Sequence, residues 1–248
     1  MNVRSFAIHR TALLSTFAAG FLLCAGHANA GGPQPLTECN QDLQGSYFLT
    51  ADLDCTGVPG FGVTLRAHSL LDLRGFAIRH AQNEGVQCAG SCTIVGPGTI
   101  EENWGGVRGV RRVRIDGVTF RNNTRVAVTG GNLTLTNSTL EGSYEGVMAG
   151  PRARIENTTI TGMSGSGVTA EMADWIGTSH AACVAGKLSL RNSQVTGSVS
   201  NPDPDDCSAN HPCADVVTCL RPKLDSASAC GSSAQIKDNG TWGVCAGD

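Results

Sequence analysis

The chain carries a short alternating pattern of hydrophobic and polar positions that recurs about every 20 residues. Five segments superimpose position by position, and they are 73–78, 115–120, 135–140, 155–160 and 190–195. Ile94–Ile100 is a sixth copy with one extra residue, and the step from Ile155 to Leu190 is one period plus an insertion. Repeats of this length are typical of solenoids, in which each coil buries its apolar face against the next. The pattern therefore predicts a β-solenoid.

Each coil is predicted to contain three strands. The second lies around 113–116 and the third around 118–121, and the first lies around a Gly-Val pair at 85–86, 106–107, 146–147, 167–168 and 243–244. Alternation within a strand places Val113 and Ile115 on one side, so that stacked coils form aliphatic columns inside. Asn137, Asn157 and Asn192 fall at one corner, where stacked amides favour a structural ladder over sugar binding.

This arrangement resembles the pectin-lyase-like superfamily of secreted right-handed parallel β-helix repeat proteins. The resemblance covers about 63–195 and resumes at 235–246, and the segments 45–55 and 71–75 are similar to the entry region of such proteins. It implies an all-β fold, a right-handed parallel β-helix of about six to seven coils with Cys-rich loop insertions. Members act mainly on polysaccharides as lyases, hydrolases, esterases or epimerases, and many have no known activity, so the fold does not select a reaction.

The first 30 residues read as a signal peptide. Arg4 and Arg10 precede an apolar stretch over 11–26, and Ala28-Asn29-Ala30 is a typical cleavage pattern. We expect an N-terminal cap over 31–62 and a β-helix over 63–248, with insertions near 171–186 and 199–234. Loss of the two leader arginines changes the formal charge from −3 to −5. The expected product is secreted or periplasmic, with no transmembrane segment and no nucleic-acid partner.

Ten of the eleven cysteines lie beyond the leader, which predicts five disulfides in an exported protein. Cys39 with Cys55, and Cys88 with Cys92, are close enough in sequence to pair locally. The pairing of the other six stays open; they are Cys183, Cys207, Cys213, Cys219, Cys230 and Cys245.

No catalytic signature of the superfamily is present. A glycoside hydrolase needs two carboxyl groups around the scissile bond, and Asp205-Asp206 is the only adjacent aspartate pair. A polyuronate lyase needs cations that neutralise the uronate carboxylate and a base that takes the C5 proton. The candidates for these roles are Arg108, Arg112, Arg114 and Arg121, within a cluster that also holds Arg111 and Arg125. The alternative is a charge ladder on the outer wall, formed by Arg79, Glu101, Arg121 and Glu141.

The remaining candidates concern ligand binding. Trp104, Trp175 and Trp242 are candidate sugar-stacking side chains, and the alternative is that they pack against the insertion. Thr119 and Thr139 belong to an outward threonine row with Thr99 and Thr159. Asp203, Asp205 and Asp206 could together bind Ca²⁺, because hard cations prefer clustered carboxylates; no other cofactor is expected.

The sequence thus predicts an exported β-helix protein that interacts with carbohydrate or associates with envelope glycans, without an identifiable catalytic motif. The alternatives are a divergent polyuronate lyase and a purely structural or adhesive solenoid.

Overall fold

A computed structural model describes residues 32–170, 187–197, 214–218, 220–235 and 240–248. All of these belong to one compact unit, Gly31–Asp248. The predicted signal peptide and the predicted insertion at 171–186 lie outside the described residues.

The described residues form strands that are connected by turns and bends. In the first half of the chain these strands are β1 (Gln34–Leu36), β2 (Gln41–Leu43), β3 (Ser46–Leu49), β4 (Leu53–Asp54), β5 (Val63–Leu65), β6 (Ser69–Asp72), β7 (Ala77–Arg79), β8 (Glu84–Cys88), β9 (Cys92–Val95), β10 (Thr99–Glu101), β11 (Gly105–Asp116) and β12 (Thr119–Arg121). In the second half they are β13 (Val126–Thr136), β14 (Thr139–Glu141), β15 (Glu145–Glu156), β16 (Thr159–Thr161), β17 (Val168–Ala170), β18 (Lys187–Arg191), β19 (Gln194–Thr196), β20 (Val216–Thr218), β21 (Lys223–Leu224), β22 (Ala229–Cys230) and β23 (Ser233–Gln235).

The strands stack in parallel as a β-solenoid of about eight turns, which confirms the predicted fold class. The stack presents three faces. The first face runs through β5, β8 and the first half of β11, and the second runs through β6, β9 and the second half of β11. The third face is a separate eight-stranded sheet that includes β10, β12 and β14. The long strands β11, β13 and β15 bend from the first face to the second, with register shifts at Gly109/Arg112 and Gly130/Asn132.

The core consists of aliphatic columns, one for each face. The strand pairing aligns Ile94, Ile115, Leu135, Ile155 and Leu190 on the second face. On the third face it aligns Ile78, Ile100, Phe120, Leu140 and Ile160. All ten side chains are at most 1% exposed. Alternation along each strand sends the remaining residues outward, so that the chemistry of the surface is also arranged in columns.

The solenoid has more turns than the six to seven expected, because residues outside the regular period also form coils. Gln41 pairs with Val63, Tyr47 with Leu71 and Leu53 with Ile78. These steps of 22, 24 and 25 residues are longer than the regular period, so the segment predicted as a cap does not superimpose on the repeat.

The C-terminal region differs from the sequence interpretation in two ways. Residues 214–235, most of which were assigned to the second insertion, contain β20, β21 and β22, which pair with β17, β18 and β19 of the preceding coil. The strand expected at Gly243-Val244 is wrong. Gly243 has φ 59°, and the main-chain N–H groups of Val244 and Cys245 donate to the Asp248 carboxylate, so this segment is a turn.

Three disulfides connect described residues. Cys39–Cys55 and Cys88–Cys92 confirm the two predicted local pairs, and Cys230–Cys245 ties the C-terminal turn to β22. The other five cysteines, among them Cys24 of the predicted leader, lie outside the described residues. The described part of the chain contains no helix of the length and apolarity that a membrane crossing requires.

Candidate functional site

The predicted arginine cluster does not form a single site, because its members face three different directions. Arg121 lies in β12 on the third face, whereas Arg108 lies in the first half of β11 on the first face. Arg112 and Arg114 lie in the second half of β11, on the second face.

Arg121 belongs to the charge ladder that the sequence predicted. The strand register aligns Arg79, Glu101, Arg121 and Glu141 in consecutive coils. The Arg121 Nε lies 2.5 Å from the Glu141 carboxylate, and its Nη1 lies 3.9 Å from that of Glu101. The hydrogen bond to Glu141 raises the pKa of Arg121. Thr119 and Thr139 lie beside this ladder, in register with Thr99 and Thr159, so the predicted threonine row is also confirmed.

Arg108 and Arg125 surround Trp104 on the first face. The Arg125 guanidinium lies 4.7 Å from the centre of a Trp104 ring, which is a cation–π contact. The Arg108 Nη1 lies 3.6 Å from the buried Glu84 carboxylate. Val107, Val126 and Thr129 complete the lining of this narrow cleft. Arg125 contacts Trp104 and Arg108 contacts Glu84, so the cleft between them leaves little room for a ligand.

Arg112 and Arg114 form one wall of an open groove on the second face, which we call the basic groove. The register places Asn132 and Thr134 of β13 next to them, and Arg152 and Arg154 of β15 beyond. Lys187 of β18 follows Arg152 in the next coil. The short side chains of β13 make a depression between the two pairs of arginines, with a volume of about 360 Å³. The groove is defined by Arg112, Arg114, Asn132, Thr134, Arg152, Arg154 and Lys187.

The charges in the basic groove are largely uncompensated. Arg112, Arg114 and Arg152 are exposed, and none of them forms an ion pair within the described ranges. Only Arg154 has a carboxylate partner, Glu156, at 2.5 Å. No carboxylate lines the groove itself among the residues described. The groove is therefore positively charged, although the whole chain has a formal charge of −3.

Sequence reasoning missed Arg152, Arg154 and Lys187, although the repeat contained the signal. Arg152 and Arg154 follow Arg112 and Arg114 by 40 residues, which is two coils of the repeat. Lys187 follows Arg152 by 35 residues, the same step that separates Ile155 from Leu190. Proximity in sequence suggested one cluster around 108–125, whereas proximity in the fold follows the coil register.

The predicted ligand residues of the two insertions belong to segments without a described structure. Trp175 and the Ca²⁺ candidates Asp203, Asp205 and Asp206 lie outside the described residues. Within the part of the chain that the structure covers, no three His, Cys, Asp or Glu side chains are grouped as metal ligands.

The chain was compared with known proteins in three ways. No protein-family model, no curated protein and no solved structure matches it. The basic groove is therefore interpreted from its own chemistry.

Proposed function

We propose that this protein is an exported binding protein that holds an acidic polysaccharide in the basic groove. The observation that carries the proposal is the group of three exposed arginines, Arg112, Arg114 and Arg152, without a carboxylate partner among the described residues. On the third face of the same solenoid, each arginine alternates with a glutamate. The second face departs from that arrangement, and an external anion would supply the missing charge.

The groove offers the contacts that an acidic sugar polymer requires. Guanidinium groups bind carboxylate and sulfate oxygens through paired, charge-assisted hydrogen bonds. Asn132 and Thr134, between the arginine pairs, can exchange hydrogen bonds with sugar hydroxyls. The groove is an open depression of the surface, so a polymer can lie in it without threading.

A catalytic role has weaker support. The lining of the groove contains cations and neutral polar groups, so an elimination would have to use an arginine both as base and as charge-neutralising group. We therefore favour binding over lyase activity, and a suitable assay separates the two.

The test is titration of the purified, oxidised protein with polygalacturonate, alginate, hyaluronan and chondroitin sulfate at low ionic strength. Duplex DNA of equal charge serves as a polyanion of another class. We expect at least one polysaccharide to bind, and the triple variant R112A/R114A/R152A to bind it at least about tenfold more weakly, equal to about 1.4 kcal/mol. Ultraviolet absorbance in the same samples would report unsaturated uronate if the groove were a lyase site.

A matched control keeps the change in net charge constant. The variant R66A/R74A/R121A also removes three arginines, but each of these lies beside a carboxylate: Asp42, Asp72 and Glu141. It should retain the affinity of the parent protein. Equal losses in both triple variants would show nonspecific attraction, and binding of DNA alone would assign the groove to nucleic acid. Either result would overturn the proposal.

A further inference from the structure

The second face carries an alternation of residue types that extends beyond the basic groove. One outward column contains, coil by coil, Thr93, Arg114, Thr134, Arg154, Ser189 and Lys223. Hydroxyl and cationic side chains therefore alternate over six consecutive coils. We call this the alternating column.

The alternation sets a fixed distance between charges. Neighbouring parallel strands are about 4.8 Å apart, so Arg114, Arg154 and Lys223 recur at about 9.6 Å along the solenoid axis. The three cations span five coils, which are four steps or about 19 Å. Thr134 and Ser189 lie midway between them.

Avoidance of like charges alone does not explain this column. Like charges on directly opposed positions of adjacent strands are destabilising, and the third face meets that constraint by placing Glu101 between Arg79 and Arg121. The alternating column instead has neutral hydroxyl residues between its cations, which keeps the charge positive and leaves a hydrogen-bonding group at each intermediate coil. Arg114 and Lys223 have no ion-pair partner among the described residues, whereas Arg154 pairs with Glu156 of its own strand.

From this register we infer that the ligand is a linear polysaccharide with one acidic group per disaccharide, bound parallel to the solenoid axis. The inference rests on the proposed function and specifies its ligand. In an extended chain of alternating acidic and neutral sugars, acidic groups recur on one side at every second residue. Such a chain places each acid opposite a cation and each neutral sugar opposite a hydroxyl side chain. Each strand of duplex DNA carries one phosphate per about 3.4 Å of helix axis, which does not match cations that recur at about 9.6 Å.

The alternating column predicts that affinity depends on the spacing of the acidic groups of the ligand and not on their number alone. Hyaluronan oligosaccharides have a carboxylate on every second sugar, whereas oligogalacturonates of the same length have one on every sugar. We expect a hyaluronan octasaccharide to bind the parent protein at least as tightly as an octagalacturonate, although it has half the charge. Titration calorimetry at one low ionic strength would measure both affinities.

A register-shifted variant tests the spacing itself. Arg154→Ser combined with Ser189→Arg moves one cation by one coil and leaves the composition unchanged. We expect it to lose about tenfold in affinity for the hyaluronan octasaccharide, equal to about 1.4 kcal/mol. The matched control, Glu141→Thr with Thr161→Glu, makes the same one-coil exchange in the charge ladder of the third face and should bind as the parent does. Thermal unfolding of both variants checks that the fold is retained.

The outcomes separate this inference from the proposed function. If octagalacturonate binds more tightly in proportion to its charge, and the register-shifted variant binds like the parent, the groove binds polysaccharide without reading its spacing and the inference is wrong. If none of the four polysaccharides binds, the proposed function fails, and the inference fails with it.

Discussion

Buried polar side chains at the corners of the solenoid form hydrogen bonds with main-chain groups of neighbouring coils. The Asn103 amide donates to the Ile78 carbonyl at 3.2 Å, and the Asn123 amide donates to the Ile100 carbonyl at 3.0 Å. The Asn123 Oδ1 accepts from the main-chain N–H of Asn103, which links one coil to the next. Both side chains are at most 1% exposed. Each amide therefore satisfies buried main-chain groups that water does not reach.

Replacement of one of these amides should cost more stability than its size suggests. Asn123→Ala leaves the buried Asn103 N–H without its acceptor and removes the hydrogen bond to the Ile100 carbonyl, and a buried unsatisfied group costs about 1–3 kcal/mol. The exposed Asn132→Ala is the control, with an expected change within about 0.5 kcal/mol. Urea unfolding of both variants would measure the two free energies. Equal values would show that the buried amide contributes no more than a surface one.

A second corner has the exposed ladder that the sequence predicted. The Asn157 amide donates to the Asn137 Oδ1 at 3.1 Å, and the Asn192 amide donates to the Asn157 Oδ1 at 2.9 Å. All three asparagines have positive φ, between 44° and 52°, which this residue type tolerates better than most. Asp116 accepts from Asn137 at one end of the ladder, and Asp225 accepts from the main chain of Asn192 at the other.

At the scale of the strands, the sequence predicted what depends on regular alternation. The columns of Ile115 and Leu135, the charge ladder and the threonine row all followed from the 20-residue step, because residues at equal positions in equal coils must stack. The 20-residue step does not predict strand pairing where the coil length changes, as between Leu53 and Ile78. It also does not predict strands that are only two residues long, as in β21 and β22. The basic groove combines residues two coils apart, which a search for local clusters does not find.

Close stacking in the first half of β11 depends on a glycine. A Cβ at Gly106 would clash with the main-chain carbonyl oxygen of Ala127 in the next coil and would lie 2.9 Å from the Phe120 ring. Gly106→Ala should therefore destabilise the protein by about 1–3 kcal/mol, the usual cost of overpacking. Gly130→Ala, in β13, is the control, since its nearest neighbour would be a Leu133 side-chain atom at 3.3 Å. Thermal unfolding that ranks Gly130→Ala as the more damaging change would contradict this account.

For the whole molecule, the solenoid separates the residues that stabilise the stack from the residues that determine the surface charge of each face. The interior columns stabilise the stack, so the outward positions are free to differ from face to face. The third face pairs opposite charges across coils, as Arg121 and Glu141 do. On the second face, Arg112, Arg114 and Arg152 have no carboxylate partner among the described residues. Since exposed ion pairs contribute only about 0–1 kcal/mol each, removing carboxylates from one face costs little stability and creates a charged surface.

The pH dependence of stability should reflect ionic contacts at one corner of the stack. His80 lies between two carboxylates, 3.0 Å from the Asp54 Oδ1 and 2.8 Å from the Glu102 Oε2, and Arg79 lies 3.4 Å from Asp54. The hydrogen bond with Asp54, and then that with Glu102, raises the pKa of His80. The hydrogen bond with His80 lowers the pKa of Asp54.

A second carboxylate with a lowered pKa lies in the C-terminal turn. Burial opposes ionisation of Asp248, but hydrogen bonds from Ser233 and the main chain lower its pKa to about 2.

The two kinds of shift act at opposite ends of the pH range. A raised histidine pKa contributes stability that is complete below the unfolded value of about 6.5 and is lost as pH rises through the folded value. Lowered aspartate pKa values contribute stability that is present above about 3.9 and is lost as pH falls through the folded values. We therefore expect the free energy of unfolding to be greatest between about pH 4 and about pH 6.5 and to decrease on either side.

A single substitution separates the histidine from the carboxylates. His80→Gln keeps a neutral hydrogen-bonding side chain at the corner, so it should reduce the loss of stability between about pH 6 and about pH 8. The acid loss that comes from Asp54 should also become smaller, because the hydrogen bond with His80 lowers the pKa of Asp54, whereas the acid loss that comes from Asp248 should remain. His68→Gln, at another corner residue with positive φ, is the control and should preserve both limbs of the curve. Urea unfolding at a series of acid to alkaline pH values would measure the free energy of unfolding of both variants. If His80→Gln retained the full alkaline decrease, the ionic contacts between coils at Asp54, His80 and Glu102 would not govern it, and the stability of the solenoid would depend on its apolar columns alone in that range.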